Sequence, residues 1–160
     1  MVSAGGLKWS YSMTSRLSPN FNLSEFTFSQ TATRHNINND PSPEIIARLV
    51  QVAHQMERVR VACGNRPIRI SSGYRSPELN RRIGGSASSA HMQGWAVDFT
   101  VSGQSVVDTI KDILEAGISF DQVINEGGRW VHISFAPAMR QQVLTATFTN
   151  GKATYTKGLT

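Results

Sequence analysis

Two histidines and an aspartate carry the chemistry that this chain offers most openly. His91 and Asp98 lie in Ser89-Ala90-His91-Met92-Gln93-Gly94-Trp95-Ala96-Val97-Asp98, and His132 follows in Trp130-Val131-His132-Ile133-Ser134. Two imidazoles and a carboxylate are three of the four ligands of a catalytic zinc, whose last position stays open to water. The chemistry would be metal-assisted hydrolysis. Singly, each residue has an ordinary fate: a histidine on the surface, an aspartate solvated on a strand. Their joint placement, with Gly94 and small neighbours clearing space, favours ligation.

The elements around them must aim the three side chains at one point. Trp95 to Val101 and Trp130 to Phe135 read as strands, in which alternate residues share a face. Val97, Phe99 and Val101 form an apolar face in the first, and Val131, Ile133 and Phe135 in the second. Asp98 and His132 therefore project from the opposite, more polar faces. His91 lies in the loop before the first strand, which can fold back over that side. An unpaired aspartate inside a core would cost several kcal/mol or change its protonation; on this face Asp98 need not enter the core.

The remaining pattern is that of one domain. Residues 1–16, rich in Ser and Gly, read as a flexible tail in which Met13 is an alternative start. Leu17 to Asn39 reads as an arm wrapping the domain, with one helical turn at Leu23-Ser24-Glu25-Phe26. Ser42-Pro43-Glu44 starts a helix that Ile45, Ile46, Leu49, Val52, Ala53, Met56 and Val59 continue at helical spacing and Gly64 closes. His54 on this helix is a surface or boundary residue. Pro67 to Ser71 is a strand, Pro77 to Arg82 a short helix, Gly84 to Ser89 a flexible loop, and Ser105 to Ala116 a helix ended by Gly117. Phe120 to Glu126 pairs with Trp130 to Phe135 across Gly127-Gly128-Arg129, and Asn150-Gly151 turns a last hairpin between Thr145–Thr149 and Lys152–Thr156. The fold class is α+β, a small, largely antiparallel sheet with helices packed on one side.

Composition narrows the function classes. At 160 residues, with 39% hydrophobic and 17% charged, the chain is long enough for one well-packed core and ordinary for a soluble protein. No apolar run reaches membrane-span length, and Met1 to Arg16 lacks the apolar core of a secretory signal. Synthesis in the cytoplasm without a signal peptide is expected. Cys63, the lone cysteine, cannot form an internal disulfide and reads as a small buried residue. The net charge of +5 favours an acidic partner. Seven arginines fall between Arg58 and Arg82. No nucleic-acid motif organises them, so general attraction to an anionic wall or membrane surface is the better reading.

Ser89-x-His91-x-x-Gly94-x-Ala96-x-Asp98 followed by Trp130-Val131-His132 resembles the zinc D-alanyl-D-alanine carboxypeptidases and L-alanyl-D-glutamate endopeptidases of peptidoglycan. That group includes phage endolysins and shares its fold with the hedgehog signalling domain. Ser72-Gly73-Tyr74-Arg75-Ser76 resembles its arginine segment. The Phe120-Asp121-Gln122 strand and the C-terminal hairpin fit as well, so the likeness spans about Leu17 to Leu159. It implies a single hedgehog/DD-peptidase-like zinc peptidase domain over residues 17–160, with zinc on His91, Asp98 and His132. Arg75 would hold a substrate carboxylate or carbonyl oxygen, and Ser89 and Gln122 would contact the substrate nearby.

One position departs from that pattern. Many relatives carry an acid three residues before the last histidine, where this chain has Arg129, which cannot act as a base. Glu126, across the Gly-rich turn, is the expected general base, with Asp121 as competitor. The expected protein is a monomeric, endolysin-like zinc peptidase that cuts peptidoglycan stem peptides after release onto the cell wall. The alternative is a catalytically silent zinc-containing domain that binds wall or protein.

Overall fold

The computed structural model describes residues 15–160. The tail reading falls almost wholly on residues outside these, and Arg16 opens the first strand.

The chain runs β1 (Arg16–Ser18), β2 (Phe21–Asn22), α1 (Leu23–Thr27), α2 (Gln30–Arg34), α3 (Pro43–Ala62), β3 (Ile68–Ser72), α4 (Pro77–Arg82), a 3₁₀ turn (Ala90–Gln93), β4 (Ala96–Val101), α5 (Val106–Glu115), β5 (Gln122–Glu126), β6 (Trp130–Ser134), β7 (Gln142–Thr149) and β8 (Lys152–Lys157). The three main helices begin where the sequence places them. Ser42, Ser76 and Ser105 each accept a hydrogen bond from the backbone N–H three residues on, satisfying a donor with no partner inside the helix. Two features go beyond the sequence reading. The N-terminal arm holds a second helix, α2, capped by Ser29, and His91 sits in a 3₁₀ turn rather than an irregular loop.

Six strands form one sheet in the order β3-β4-β6-β5-β7-β8. Every neighbouring pair is antiparallel except β5 and β7, so the sheet is mixed but mostly antiparallel, with helices against it as expected. Val97, Phe99, Val101, Val131, Ile133 and Val123 point into a core closed by Leu49, Val52 and Met56 of α3 and Ile110 and Ile113 of α5. Burying such side chains contributes about 1.5–3 kcal/mol each. Cys63 joins this core. Among the described residues, no helix is long and apolar enough to cross a membrane. With the helices on one face, the other is free to carry polar side chains.

Candidate metal centre and its cavity

Strand register builds the centre. β4 and β6 pair antiparallel with Asp98 opposite His132, and Ile124 of β5 lies opposite His132 from the other side. Directly paired residues share a face, so Asp98, His132 and Ile124 form one row on the non-core side. His91 closes over this row from the 3₁₀ turn. Ser89 caps that turn by accepting from the His91 backbone N–H at 3.2 Å, and Gly94 ends it in the left-handed conformation (φ 76°). A Cβ at Gly94 would lie 3.0 Å from Ile45 Cγ2, so the turn also needs glycine to dock on α3.

The three donors converge. Asp98 Oδ1 lies 3.2 Å from His91 Nε2 and 2.9 Å from His132 Nδ1. Tetrahedral zinc with bonds of about 2.0–2.1 Å separates its ligand atoms by about 3.3 Å. The donors therefore fit zinc in both type and spacing. His91 Nδ1 is 2.7 Å from the Gly73 carbonyl oxygen. Donating there fixes the tautomer and leaves the Nε2 lone pair facing Asp98.

Charge is arranged to match. Burial pushes the His91 imidazole down, toward the neutral form that binds a metal. Burial alone would raise the Asp98 carboxyl, but His91 and His132 outweigh it and hold Asp98 well below the usual carboxylate range. Asp98 is buried, at 7% exposure, although it lies outside the apolar core. Its second oxygen, Oδ2, accepts from Arg75 at 3.3 Å, and Arg75 Nε donates to Ser72 Oγ at 3.1 Å. Arg75 thus braces the ligand carboxylate while still lining the cavity.

The centre forms the floor of a cavity of about 650 Å³. Ser89, Arg75, Glu126 and Gln122 all line it, so the structure brings every sequence-predicted site residue to one place. Gln122 is half-tied, its amide donating to Gln142 Oε1 at 2.7 Å. Glu126 lies opposite Trp130, on the same face as His132 and diagonal to it. Such diagonal neighbours are about 7–8 Å apart, which leaves room for a water between carboxylate and metal centre. Burial pushes the Glu126 carboxyl up, with the Asp98 charge adding to it and the His132 and Arg75 charges opposing. Asp121 is occupied elsewhere: it accepts from Arg140 Nε at 2.9 Å and Nη2 at 2.8 Å, and these bonds hold its pKa down. Arg129, at the position of the expected acid, lies over the Phe148 ring at 5.8 Å.

Sequence reasoning gave no role to four contributing residues. Gly73 presents the carbonyl that orients His91, and Ser72 anchors Arg75. Phe148 and Tyr155 bring the last hairpin into the cavity wall. Spacing within the arginine loop carried no sign of the first two. Alternation in β7 and β8 was readable, but not which strand the hairpin would join.

A sheet face that presents Asp98 and His132, closed over by His91 from the 3₁₀ turn and with Glu126 beside them, has the donor set and the acid of a metal-dependent hydrolase site. The family model for peptidase M15 matches residues 19–134, and the chain belongs to the peptidase M15 family. The matched segment contains the three candidate ligands His91, Asp98 and His132, together with Arg75 and Glu126. Over 50 residues, 31% of this chain, it is 36% identical to a zinc D-Ala-D-Ala carboxypeptidase from Streptomyces albus G. That stretch spans 20% of the relative's length.

Proposed function

We propose that this protein hydrolyses peptide bonds in the stem peptides of bacterial peptidoglycan, as a D-Ala-D-Ala carboxypeptidase or an L-alanyl-D-glutamate endopeptidase of lytic type. One observation carries the reading: Glu126, a carboxylate with no ion pair among the described residues, stands on the same sheet face as Asp98 and His132 and in one cavity with His91. A silent zinc domain has no need of a partly desolvated acid at that position. The similarity to a carboxypeptidase named for D-Ala-D-Ala supports the substrate class. The net charge of +5 suits attraction to an anionic wall.

His91, Asp98 and His132 would hold a zinc ion, which would supply Lewis acidity for polarising a carbonyl and acidifying a water. The chain's residues do the rest. Glu126 takes a proton from the attacking water and returns it to the departing amine nitrogen. Burial raises its pKa, which makes its carboxylate a stronger base than a solvated one. Arg75, held by Ser72 and Asp98, also lines the cavity, where its guanidinium stabilises negative charge growing on the scissile oxygen. Ser89 and Gln122 keep a free hydroxyl proton and a free amide oxygen, respectively, for the substrate backbone.

The test is incubation of the zinc-loaded protein with purified peptidoglycan, with and without chelator, and mass spectrometry of the soluble products. Released D-Ala identifies the carboxypeptidase, and new N-terminal D-Glu identifies the endopeptidase. Both should vanish with chelator and return with zinc. Peptidoglycan left intact at every zinc level sinks the catalytic reading in favour of the binding domain.

A further inference from the structure

The family match ends at Ser134, but the cavity does not. Its wall continues onto the β7–β8 hairpin, which contributes Phe148 and Tyr155. Register shows how they reach it. Trp130 of β6, Glu126 of β5, Ala146 of β7 and Tyr155 of β8 are successive partners across four strands, so their side chains share the metal-bearing face. Strands step by about 5 Å, which puts the Glu126 and Tyr155 backbones about 10 Å apart. Only the methyl group of Ala146 lies between them in that row. Glu126 and Tyr155 thus both line the cavity, with buried Ala146 between them in the row.

The wall has an apolar part as well. Trp130 and Phe148 stand with ring centroids 6.4 Å apart, and the Arg129 guanidinium lies over the Phe148 ring. Tyr155 is 52% exposed on an edge strand that is otherwise lysine, threonine and alanine. A large aromatic on such a strand, turned to the cavity and not to the core, is placed for contact with something that enters the cavity.

Resting on the peptidase reading above, we infer that Tyr155, with Phe148 and Trp130, forms a substrate subsite supplied by the C-terminal hairpin, gripping the peptide chain away from the scissile bond. The phenol donates a hydrogen bond to a substrate carbonyl, and the two rings cover an adjoining side chain or methyl group. Partial burial and then the Glu126 and Asp98 charges push the phenol's pKa up, so the donor keeps its proton at neutral pH. A contact remote from the reacting bond is made equally in ground and transition states, and its loss raises KM without lowering kcat.

The experiment compares zinc-loaded wild type with Tyr155→Phe on the free peptidoglycan pentapeptide stem, by kinetics and by calorimetric binding. Removing one neutral hydrogen bond should raise KM and Kd about 3- to 10-fold, with kcat within about 2-fold. Zinc content and thermal midpoint should match wild type. Tyr155→Ala, which also removes the ring, should weaken binding further. Unchanged KM and affinity in Tyr155→Phe overturn the inference, as does a loss that tracks zinc content or unfolding. Wild type that binds the pentapeptide without cutting it sinks the catalytic reading alone. A variant that binds and cuts like wild type sinks the subsite alone.

Discussion

The ring nitrogen of His91 that faces away from the metal centre lies 2.7 Å from the carbonyl oxygen of Gly73, and no larger residue fits where Gly73 sits. A Cβ there would run into the Phe26 carbonyl oxygen and lie 2.7 Å from the Phe26 Cα. The next residue is tied to the same place, since the Tyr74 N–H donates to the Phe26 carbonyl at 2.6 Å. The N-terminal arm therefore presses the arginine loop into the position from which it orients a zinc ligand.

Gly73→Ala should loosen zinc. The added methyl meets backbone atoms, so the loop must shift and its carbonyl leaves His91 Nδ1. Outer partners of ligating histidines are worth about 10- to 100-fold in metal affinity. Competition with a fluorescent zinc chelator should show a weakening in that range, while Gly84→Ala, with nothing near its Cβ, keeps wild-type affinity. Equal affinities in both variants would mean that His91 does not depend on Gly73.

Glu126→Gln should separate chemistry from metal binding. The amide keeps the shape but cannot take a proton, and loss of a general base costs about 10²- to 10⁴-fold in kcat/KM. Zinc should still bind one per chain. Because burial disfavours the Glu126 charge, the metal-free variant should also unfold at a higher temperature than wild type at neutral pH. Asp121→Asn, which breaks the pair with Arg140, should leave kcat far less affected. Near-normal turnover in Glu126→Gln would move the base elsewhere.

The parts of this site legible in the sequence are those set by alternation. Asp98 and His132 each project away from the core because neighbouring residues of a strand alternate faces, and their apolar neighbours show which face is the core. The serine caps are equally local, and three helices begin where they indicate. What stayed hidden depends on distant partners. Gly73 matters only because α1 passes over it, 47 residues earlier at Phe26. Tyr155 enters the cavity only because β7 pairs parallel with β5, a long-range choice that no turn signal encodes. Asp98 is more buried than its polar face suggests, because His91 and Arg75 cover it from segments outside its own strand.

Acid should destabilise the metal-free protein beginning in the histidine range. His91 is held below its ordinary value of about 6.5 by burial, so the unfolded chain takes up that proton first as pH falls. Its contribution to stability is therefore complete above about pH 6.5 and is lost below it. Urea unfolding of chelator-treated protein at pH 7.5, 6.5 and 5.5 should show this decline, and His91→Asn should lack it. The same proton competes with zinc, so affinity should fall in the same direction. Stability that rises on acidification across this window would mean that His91 is charged in the fold.

The turn before β6 offers a test of how the aromatic wall is held. Gly127 (φ 63°) and Gly128 (φ 72°) both occupy the left-handed region, so alanine at either costs about 1–2 kcal/mol in backbone strain. Their surroundings differ. A Cβ at Gly128 meets nothing, whereas one at Gly127 would lie 2.7 Å and 2.9 Å from two carbons of the Phe148 ring. Gly128→Ala should show the strain alone. Gly127→Ala should add the displacement of Phe148, and that extra loss should disappear when Phe148 is also replaced by alanine. A double-mutant cycle on unfolding free energies reads the coupling directly, with about 1 kcal/mol expected for groups in contact. The displaced ring should also weaken pentapeptide binding in Gly127→Ala but not in Gly128→Ala. Equal penalties for the two glycines, and no coupling to Phe148, would show that the ring does not rest on this turn.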